Sequence, residues 1–276
     1  MEEIIVNKEA FIRISCFFWI FFIVALSEIL SPRRTLTVSK TKRWLTNLGI
    51  VVLNTLVMRF TFPILAVGLA ITAGEKGWGI LNIVAIAYPL KVLLAVVLLD
   101  FAIYLQHVMV HAIPLLWRLH RMHHSDVDYD VTTGTRFHPL EIILSMLIKM
   151  GVVLMLGPPA IAVIVFELLL NGTAMFNHGN IKLPIGLDRV LRLFIVTPDM
   201  HRVHHSVKPE ETNSNYGFNL PWWDRIFGTY MDQPSLGHKE MEIGIDKFRE
   251  PQEISIFRLL TQPFRGEVGK YPINKR

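Results

Sequence analysis

The chain has 276 residues, of which 51% are hydrophobic and only 18% are charged, and its mean hydropathy is +0.40. A soluble domain of this length does not need to bury so much apolar surface, so the composition favours a membrane protein. The single cysteine, Cys16, excludes an internal disulfide and a thiolate metal cluster. The net charge of +5 does not indicate nucleic-acid binding, because the basic residues stand mostly in short segments beside hydrophobic runs.

Three apolar runs in the first part of the chain predict transmembrane helices. Residues 11–30 match the ~30 Å core of a bilayer, and residues 45–73 and 80–105 are long enough for a second and a third span. The chain begins with acidic residues, so we expect the first run to be a retained span rather than a signal peptide. Residues 31–43 carry five basic residues and no acid, which predicts a cytoplasmic loop.

A fourth apolar stretch, residues 142–176, is interrupted at Gly157-Pro158-Pro159. Each half is slightly short of a full crossing, so we predict a hairpin over residues 141–178 whose two ends lie on one side of the membrane. No later stretch is long enough to span. The predicted fold is therefore an all-α integral membrane bundle, with about three full spans, a short hydrophobic hairpin and a cytoplasmic histidine-rich cap.

Three histidine clusters suggest a metal site. The pattern HxxHH occurs twice, with arginine at the second position each time, and an HxxxH pair precedes it. Residues three and four apart share one face of a helix, so each segment is predicted to be a metal-binding clamp. The eight clamp residues are His107, His111, His120, His123, His124, His201, His204 and His205. The predicted topology places all of them on the cytoplasmic side.

Asp100 lies on the same helical stripe as His107 and His111. A carboxylate within an apolar span needs a partner, and holding a ligating imidazole would provide one. The alternative is that Asp100 pairs with Lys91 or with a hydroxyl group.

Eight imidazoles exceed the three or four protein ligands of one tetrahedral zinc, so the pattern indicates two metal ions. Imidazole suits zinc, copper, iron and nickel alike. The HExxH pattern of zinc proteases and the ExxH pairs of ferritin-like bundles are both missing from the sequence. The ligand type therefore leaves the metal open.

The order of these segments resembles that of the sterol desaturase and fatty acid hydroxylase superfamily over roughly residues 95–232. The resemblance rests on HxxxH, HxxHH, a hydrophobic hairpin, a second HxxHH, Asn215-Tyr216-Gly217 and the segment from Trp223 to Tyr230. It implies a non-haem di-iron centre that uses dioxygen to attack an unactivated C–H bond of a lipid. The eight clamp histidines match the family's iron ligands, and His178 matches a further one.

The tenth ligand is left open by this resemblance. Some members carry a histidine four residues before the position of His178, where this chain has Ala174. His138 is an alternative tenth ligand, with a structural role as the other possibility.

The same resemblance divides the chain into N-terminal transmembrane helices (1–94), a hydroxylase-like catalytic domain (95–232) and a polar C-terminal tail (233–276), in which we expect His238 to be solvated. The implied partners are a lipid, dioxygen, the membrane and an external electron donor, since the sequence has no GxGxxG and no haem-binding HPGG segment. The donor is an electron-transfer protein or a reduced cofactor such as a pterin. The expected location is a bacterial inner membrane or the endoplasmic reticulum.

Three alternatives use the same residues. A membrane metal transporter or metal-binding protein would need ionisable groups along a path, whereas the histidines gather at one face. A zinc hydrolase would need a general base, and neither HxxHH clamp contains a glutamate. A family member without activity is the third. The sequence does not identify the substrate among sterol, fatty acyl, sphingoid, alkylglycerol and carotenoid lipids. It also does not distinguish hydroxylation from desaturation.

Overall fold

The computed structural model describes residues 2–273, and in that part of the chain the regular structure is helical apart from two isolated β-bridges. The α-helices are α1 (Glu2–Asn7), α2 (Glu9–Leu30), α3 (Lys40–Thr61), α4 (Ala66–Glu75), α5 (Ile80–Ile83), α6 (Tyr88–Ala112), α7 (Pro114–His124), α8 (Pro139–Leu156), α9 (Ala160–Asn177), α10 (Ile185–Leu191), α11 (Pro198–His204), α12 (Pro209–Thr212), α13 (Trp222–Ile226), α14 (Gly237–Glu240) and α15 (Ile256–Thr261). Short 3₁₀ turns cover Thr133–Thr135, Pro251–Ile254 and Gln262–Phe264.

Within residues 2–273, five segments are long and apolar enough to cross a membrane. They are α2, the stretch Lys40–Ile83, α6, α8 and α9. The predicted all-helical membrane bundle with a hydrophobic hairpin is confirmed.

The second of these segments is not one continuous helix. Helix α3 ends at Thr61 and α4 begins at Ala66, with Pro63 in the break. Proline lacks the backbone N–H that a helix interior needs, and its ring clashes with the preceding turn. The third span starts at Tyr88 rather than near residue 80, and Pro89 occupies the first turn, where a missing N–H costs nothing.

Helices α8 and α9 form the hairpin, and the backbone at its tip lies in close contact with the backbone of another loop. Gly157 ends α8 with a left-handed φ of 61°. A Cβ atom at this position would lie 2.0 Å from the carbonyl oxygen of Trp78. Only glycine allows both the turn and this approach, which fixes the far end of the hairpin against the loop that follows α4.

The hairpin helices pack against α4 and α6 in the largest apolar cluster, which contains Leu99, Val153, Val163, Ile164 and Phe166. The outer face of α2 instead exposes large hydrophobic side chains. An exposed apolar face of this extent is typical of contact with lipid.

The basic segment 31–43 is folded onto the histidine-bearing part of the molecule. Arg33 pairs with Asp199 at 3.0 Å, two residues before His201. Arg43 is fully buried and donates to both carboxylate oxygens of Asp126, at 2.8 and 2.7 Å. The basic loop and the histidines therefore lie on the same face of the bundle.

The C-terminal segment is not the solvated polar tail that the sequence suggested. Tyr271 is buried and stacks on Trp117, with the ring centroids 5.4 Å apart. His238 is buried rather than solvated, with Nε2 3.6 Å from Asp199, and burial lowers its pKa to about 4. These contacts are made by single side chains and backbone carbonyls. They therefore produce no periodic pattern of hydrophobic residues from which the sequence could predict them.

Candidate metal centre

Nine buried histidines form two groups, and within each group the candidate ligand atoms all lie within 4.8 Å of one another. The five-histidine cluster contains His107, His111, His120, His124 and His204. The four-histidine cluster contains His123, His178, His201 and His205. The structure thus brings together all eight clamp residues and His178.

Each HxxHH segment is divided between the two clusters instead of acting as one clamp. His123 and His124 are neighbours in the chain but belong to different clusters, and so do His204 and His205. Successive residues on a helix are rotated by about 100°, so adjacent side chains point in different directions. Each segment therefore contributes to both clusters.

Local sequence explains how each histidine is presented. His107 and His111 occupy the last turns of α6, and Pro114 begins α7 immediately after it. Helix α11 begins at Pro198, and the side chain of Thr197 immediately before it accepts a hydrogen bond from the Met200 amide. These two short helices, α7 and α11, carry the HxxHH segments.

The donor atoms fit metal ions. Nε2 of His178 lies 3.1 Å from Nε2 of His123 and 3.2 Å from Nε2 of His205. Nitrogen ligands held about 2.0–2.1 Å from one ion are themselves roughly 3.0–3.4 Å apart. In the five-histidine cluster, Nε2 of His107, His111, His120, His124 and His204 is buried without a hydrogen-bond partner among the described residues. Leaving so many buried polar atoms unpaired is costly, and metal coordination would satisfy them.

One loop, residues 213–217, orients three imidazoles of the five-histidine cluster. Nδ1 of His107 donates to the carbonyl oxygen of Tyr216, and Nδ1 of His204 to that of Ser214, both at 2.7 Å. Nδ1 of His111 lies 3.3 Å from Oδ1 of Asn213. Protonation at Nδ1 leaves Nε2 with its lone pair directed into the cluster, as a metal ligand requires.

The loop itself is held by Asp224. Its carboxylate accepts from the amides of Tyr216 and Gly217, each at 2.8 Å, and from the Thr229 hydroxyl at 2.6 Å. Burial raises the pKa of Asp224 to about 6. The two sequence segments that contributed to the resemblance, 215–217 and 223–230, are therefore joined by this carboxylate.

A carboxylate partner for an imidazole comes from Glu141 rather than from Asp100. Oε1 of Glu141 lies 2.6 Å from Nδ1 of His120. Asp100 instead accepts a hydrogen bond from the indole of Trp223 at 2.7 Å. Sequence reasoning missed Glu141, although an acid in the first turn of an apolar helix was a visible signal.

His138 lies outside both clusters, and each of its ring nitrogens has a backbone partner. Nδ1 accepts from the amide of Leu140 at 3.2 Å, and Nε2 donates to the carbonyl of Leu260 at 3.1 Å. In this position His138 caps α8 and ties it to the C-terminal segment. Ala174, four residues before His178, contributes its carbonyl oxygen, which lies 2.7 Å from Nδ1 of His178.

The environment keeps many of these imidazoles neutral. Burial and mutual repulsion hold the pKa values of His123, His124, His201 and His205 well below the usual value. Burial lowers the pKa of His178 and of His204 to about 3. Metal binding requires the neutral form of histidine, so deprotonating these ligands near neutral pH costs little free energy.

A cavity of about 790 Å³ adjoins the five-histidine cluster. Among the described histidines only His107 and His120 line it, together with apolar side chains such as Phe137, Met146 and Phe218. The five-histidine cluster therefore faces the cavity, and the four-histidine cluster lies behind it.

This arrangement of histidines agrees with comparison to known sequences. The profile of the fatty acid hydroxylase family matches residues 92–229, and the chain belongs to this family. The membership confirms the resemblance inferred from the motifs.

Individual relatives include an ornithine lipid hydroxylase of Rhizobium tropici, which is 31% identical over 187 residues, covering 67% of this chain and 54% of that protein. Alkylglycerol monooxygenase of Homo sapiens is 34% identical over 132 residues, or 48% of this chain and 28% of that protein. The chain thus spans about half the length of the first relative and less than a third of the second. No solved structure is significantly similar to it.

Proposed function

We propose that this chain is a membrane-bound, non-haem di-iron monooxygenase that hydroxylates a lipid. The observation that carries the proposal is the pair of buried imidazole clusters beside a large, mainly apolar cavity. The reaction consumes dioxygen, two electrons and two protons, inserts one oxygen atom into a C–H bond and releases the other as water. An external donor, either a protein or a reduced cofactor such as a pterin, supplies the electrons.

In this proposal each cluster holds one iron ion, with five imidazoles in the first site and four in the second. Iron, when bound, would supply the redox chemistry that activates dioxygen. The chain's own groups keep the ligands neutral and oriented: the 213–217 loop fixes three rings, and Glu141 fixes His120. The cavity holds the lipid chain away from water next to His107 and His120.

Hydroxylation is proposed in preference to desaturation. The relatives are named as hydroxylases and monooxygenases, which supports insertion of oxygen over removal of two hydrogens. We further propose residues 95–232 as the catalytic domain, with the histidine clusters on the cytoplasmic side. His138 is omitted from the proposed ligand set because both of its ring nitrogens have backbone partners.

The test combines metal analysis with lipid analysis. Purified wild-type protein is expected to contain about two irons per chain and to consume dioxygen when reduced. Cells that express it under ¹⁸O₂ should accumulate a lipid that carries one ¹⁸O atom, and cells that express His204→Ala should not. The His204 ring belongs to the five-histidine cluster, so its loss removes a proposed ligand.

A single zinc per chain without oxygen chemistry after iron loading would overturn the proposal. Metal uptake into vesicles that contain the protein, with an unchanged lipid profile, would support the transporter alternative instead.

A further inference from the structure

A buried group of charged side chains lies in the wall of the cavity. Glu167 of α9 pairs with Lys149 of α8 at 2.6 Å and with Arg13 of α2 at 2.5 Å. All three residues line the cavity and lie on candidate membrane spans. The side chains of Glu167 and Lys149 are about nine-tenths buried. Ionised groups within apolar spans are costly, which points to a function for them.

The positive charges of this group are not fully balanced. Arg59 of α3 also lines the cavity, and within residues 2–273 it forms no ion pair. Glu9, outside the cavity wall, contacts Arg13 at 3.4 Å. Glu141 also lines the cavity, but its carboxylate is paired with His120, so the three cations have only Glu167 and Glu9 as partners. Arg59, whose side chain is exposed, is the cation without a carboxylate. An anion bound in the cavity would provide the missing partner.

The charged group is separated from the histidines by a measurable length of helix. Lys149 lies eight residues after Glu141, the partner of His120, which is about 12 Å along α8 at 1.5 Å per residue. Glu167 lies eleven residues before His178, which is about 16 Å along α9. The cavity extends over this whole distance, since it is lined both by His120 and by Arg59.

We propose that Arg13, Arg59 and Lys149 bind the anionic group, a carboxylate or a phosphate, of an extended lipid chain. This inference rests on the proposed function and names the substrate class and its orientation. With C–C bonds of about 1.5 Å at about 111°, each bond of an extended chain advances about 1.25 Å. The carbon placed beside the histidines is then about ten to thirteen bonds from the anionic group.

Binding without turnover tests the subsite separately from the chemistry. The full-length protein in nanodiscs, with no reductant added, is titrated at about pH 8, where carboxylates are ionised, with hexadecanoic acid, hexadecyl phosphate and hexadecanol. We expect at least one of the two anions to bind about tenfold more tightly than the alcohol. The stronger of the two anions identifies the carboxylate or the phosphate as the natural group.

Two substitutions remove one cation each while keeping an unbranched, flexible side chain. Arg59→Met and Lys149→Met are expected to abolish the preference for the anion and to leave hexadecanol binding within about twofold. Lys91→Met is the matched control, because Lys91 is a cation on α6 that does not line the cavity. Arg59 has no ion pair to lose, so Arg59→Met keeps the test valid even where Lys149→Met fails to fold.

Orientation is tested by photo-crosslinking with hexadecanoic acids that carry a diazirine at carbon 3 or at carbon 12. The carbon-12 probe is expected to label peptides that contain Phe137 or Phe218, and the carbon-3 probe those that contain Met146. Equal binding of the alcohol and both anions, an equal loss of all three ligands in Arg59→Met, or the reverse labelling pattern would overturn the proposal. None of these results depends on iron or on hydroxylation.

Discussion

At the scale of single residues, each histidine has two distinct nitrogen atoms with different tasks. For His107 and His204, Nδ1 is bound to a backbone carbonyl, and Nε2 points into the five-histidine cluster. His120 differs because its Nδ1 partner is a carboxylate, Glu141. A carboxylate partner makes the imidazole a more basic ligand than a carbonyl partner does.

The first prediction concerns this carboxylate. Glu141→Leu removes the acceptor for His120 Nδ1 and should reduce metal affinity or product formation about 10- to 100-fold. Glu141→Gln keeps a carbonyl oxygen and should lose less. Metal content and product yield are measured together, with Glu210→Leu as an exposed control. Equal activity in Glu141→Leu and wild type would show that the 2.6 Å contact has no positioning role.

At the scale of elements, two short loops contact some of the imidazoles that the helices carry. The 213–217 loop contacts three rings of the five-histidine cluster. The turn Thr133–Thr135 packs against α9 beside His178, at the edge of the four-histidine cluster. Both loops contain a glycine with no room for a side chain.

The second prediction tests the first of these loops. A Cβ at Gly217 would lie 2.7 Å from the Asp224 carboxylate and 2.8 Å from the Leu220 carbonyl. Gly217→Ala should therefore displace the loop, destabilise the protein by about 1–3 kcal/mol and weaken metal binding. Thermal unfolding and metal content are the measurements. Gly186→Ala, where nothing lies within 4 Å, is the control and should behave as wild type.

The third prediction separates the two clusters. A Cβ at Gly134 would lie 2.5 Å from the Ala174 carbonyl and 3.1 Å from Nδ1 of His178. Gly134→Ala should disturb the four-histidine cluster and lower the metal content towards one ion per chain. Gly151→Ala, in an open position within α8, should retain both ions and gain up to about 1 kcal/mol from helix propensity. Two ions in Gly134→Ala would show that His178 tolerates the shift.

At the scale of the whole molecule, segments that are distant in the chain close the histidine-bearing cap. Arg121 donates to the carbonyl oxygens of Gln262 and Arg265, at 2.6 and 2.5 Å. Arg34 donates to the carbonyl oxygens of His238 and Met241, at 2.9 and 2.6 Å. The N-terminal loop and the C-terminal segment thus enclose the clusters, which explains why the imidazoles are buried although no apolar run surrounds them.

The fourth prediction follows from this burial. In the folded metal-free protein burial lowers the pKa of His178 and of His204 to about 3, whereas in the unfolded chain these imidazoles protonate near pH 6.5. The unfolded state therefore binds more protons as the pH falls below about 6.5, and stability falls with it. Each such histidine contributes up to about 1.4 kcal/mol per pH unit.

Thermal unfolding in detergent between about pH 7 and 5, with and without a chelator, checks this prediction. Metal bound only to the folded state should raise the melting temperature, so chelation should lower it at each pH. A melting temperature that is independent of pH after chelation would contradict neutral, buried imidazoles.

Much of the fold was accessible from sequence because a bilayer restricts what can cross it. A helical span needs about 20 apolar residues, and the runs 11–30 and 80–105 have this length and composition. The break between Thr61 and Ala66 and the packed C-terminal segment were not predicted. The contacts of the C-terminal segment join residues that are far apart in the chain, so no local pattern of residue types indicates them.

The sequence by itself determined which histidines are available for a metal and which family the chain belongs to, because both depend on residue type and spacing. Only the tertiary structure decided how nine of them divide into a five-histidine and a four-histidine cluster, and that Glu141 rather than Asp100 holds an imidazole. It also placed His138 outside the clusters. The physical reason is that spacing specifies a face of one helix, whereas a ligand set depends on how several helices and loops meet.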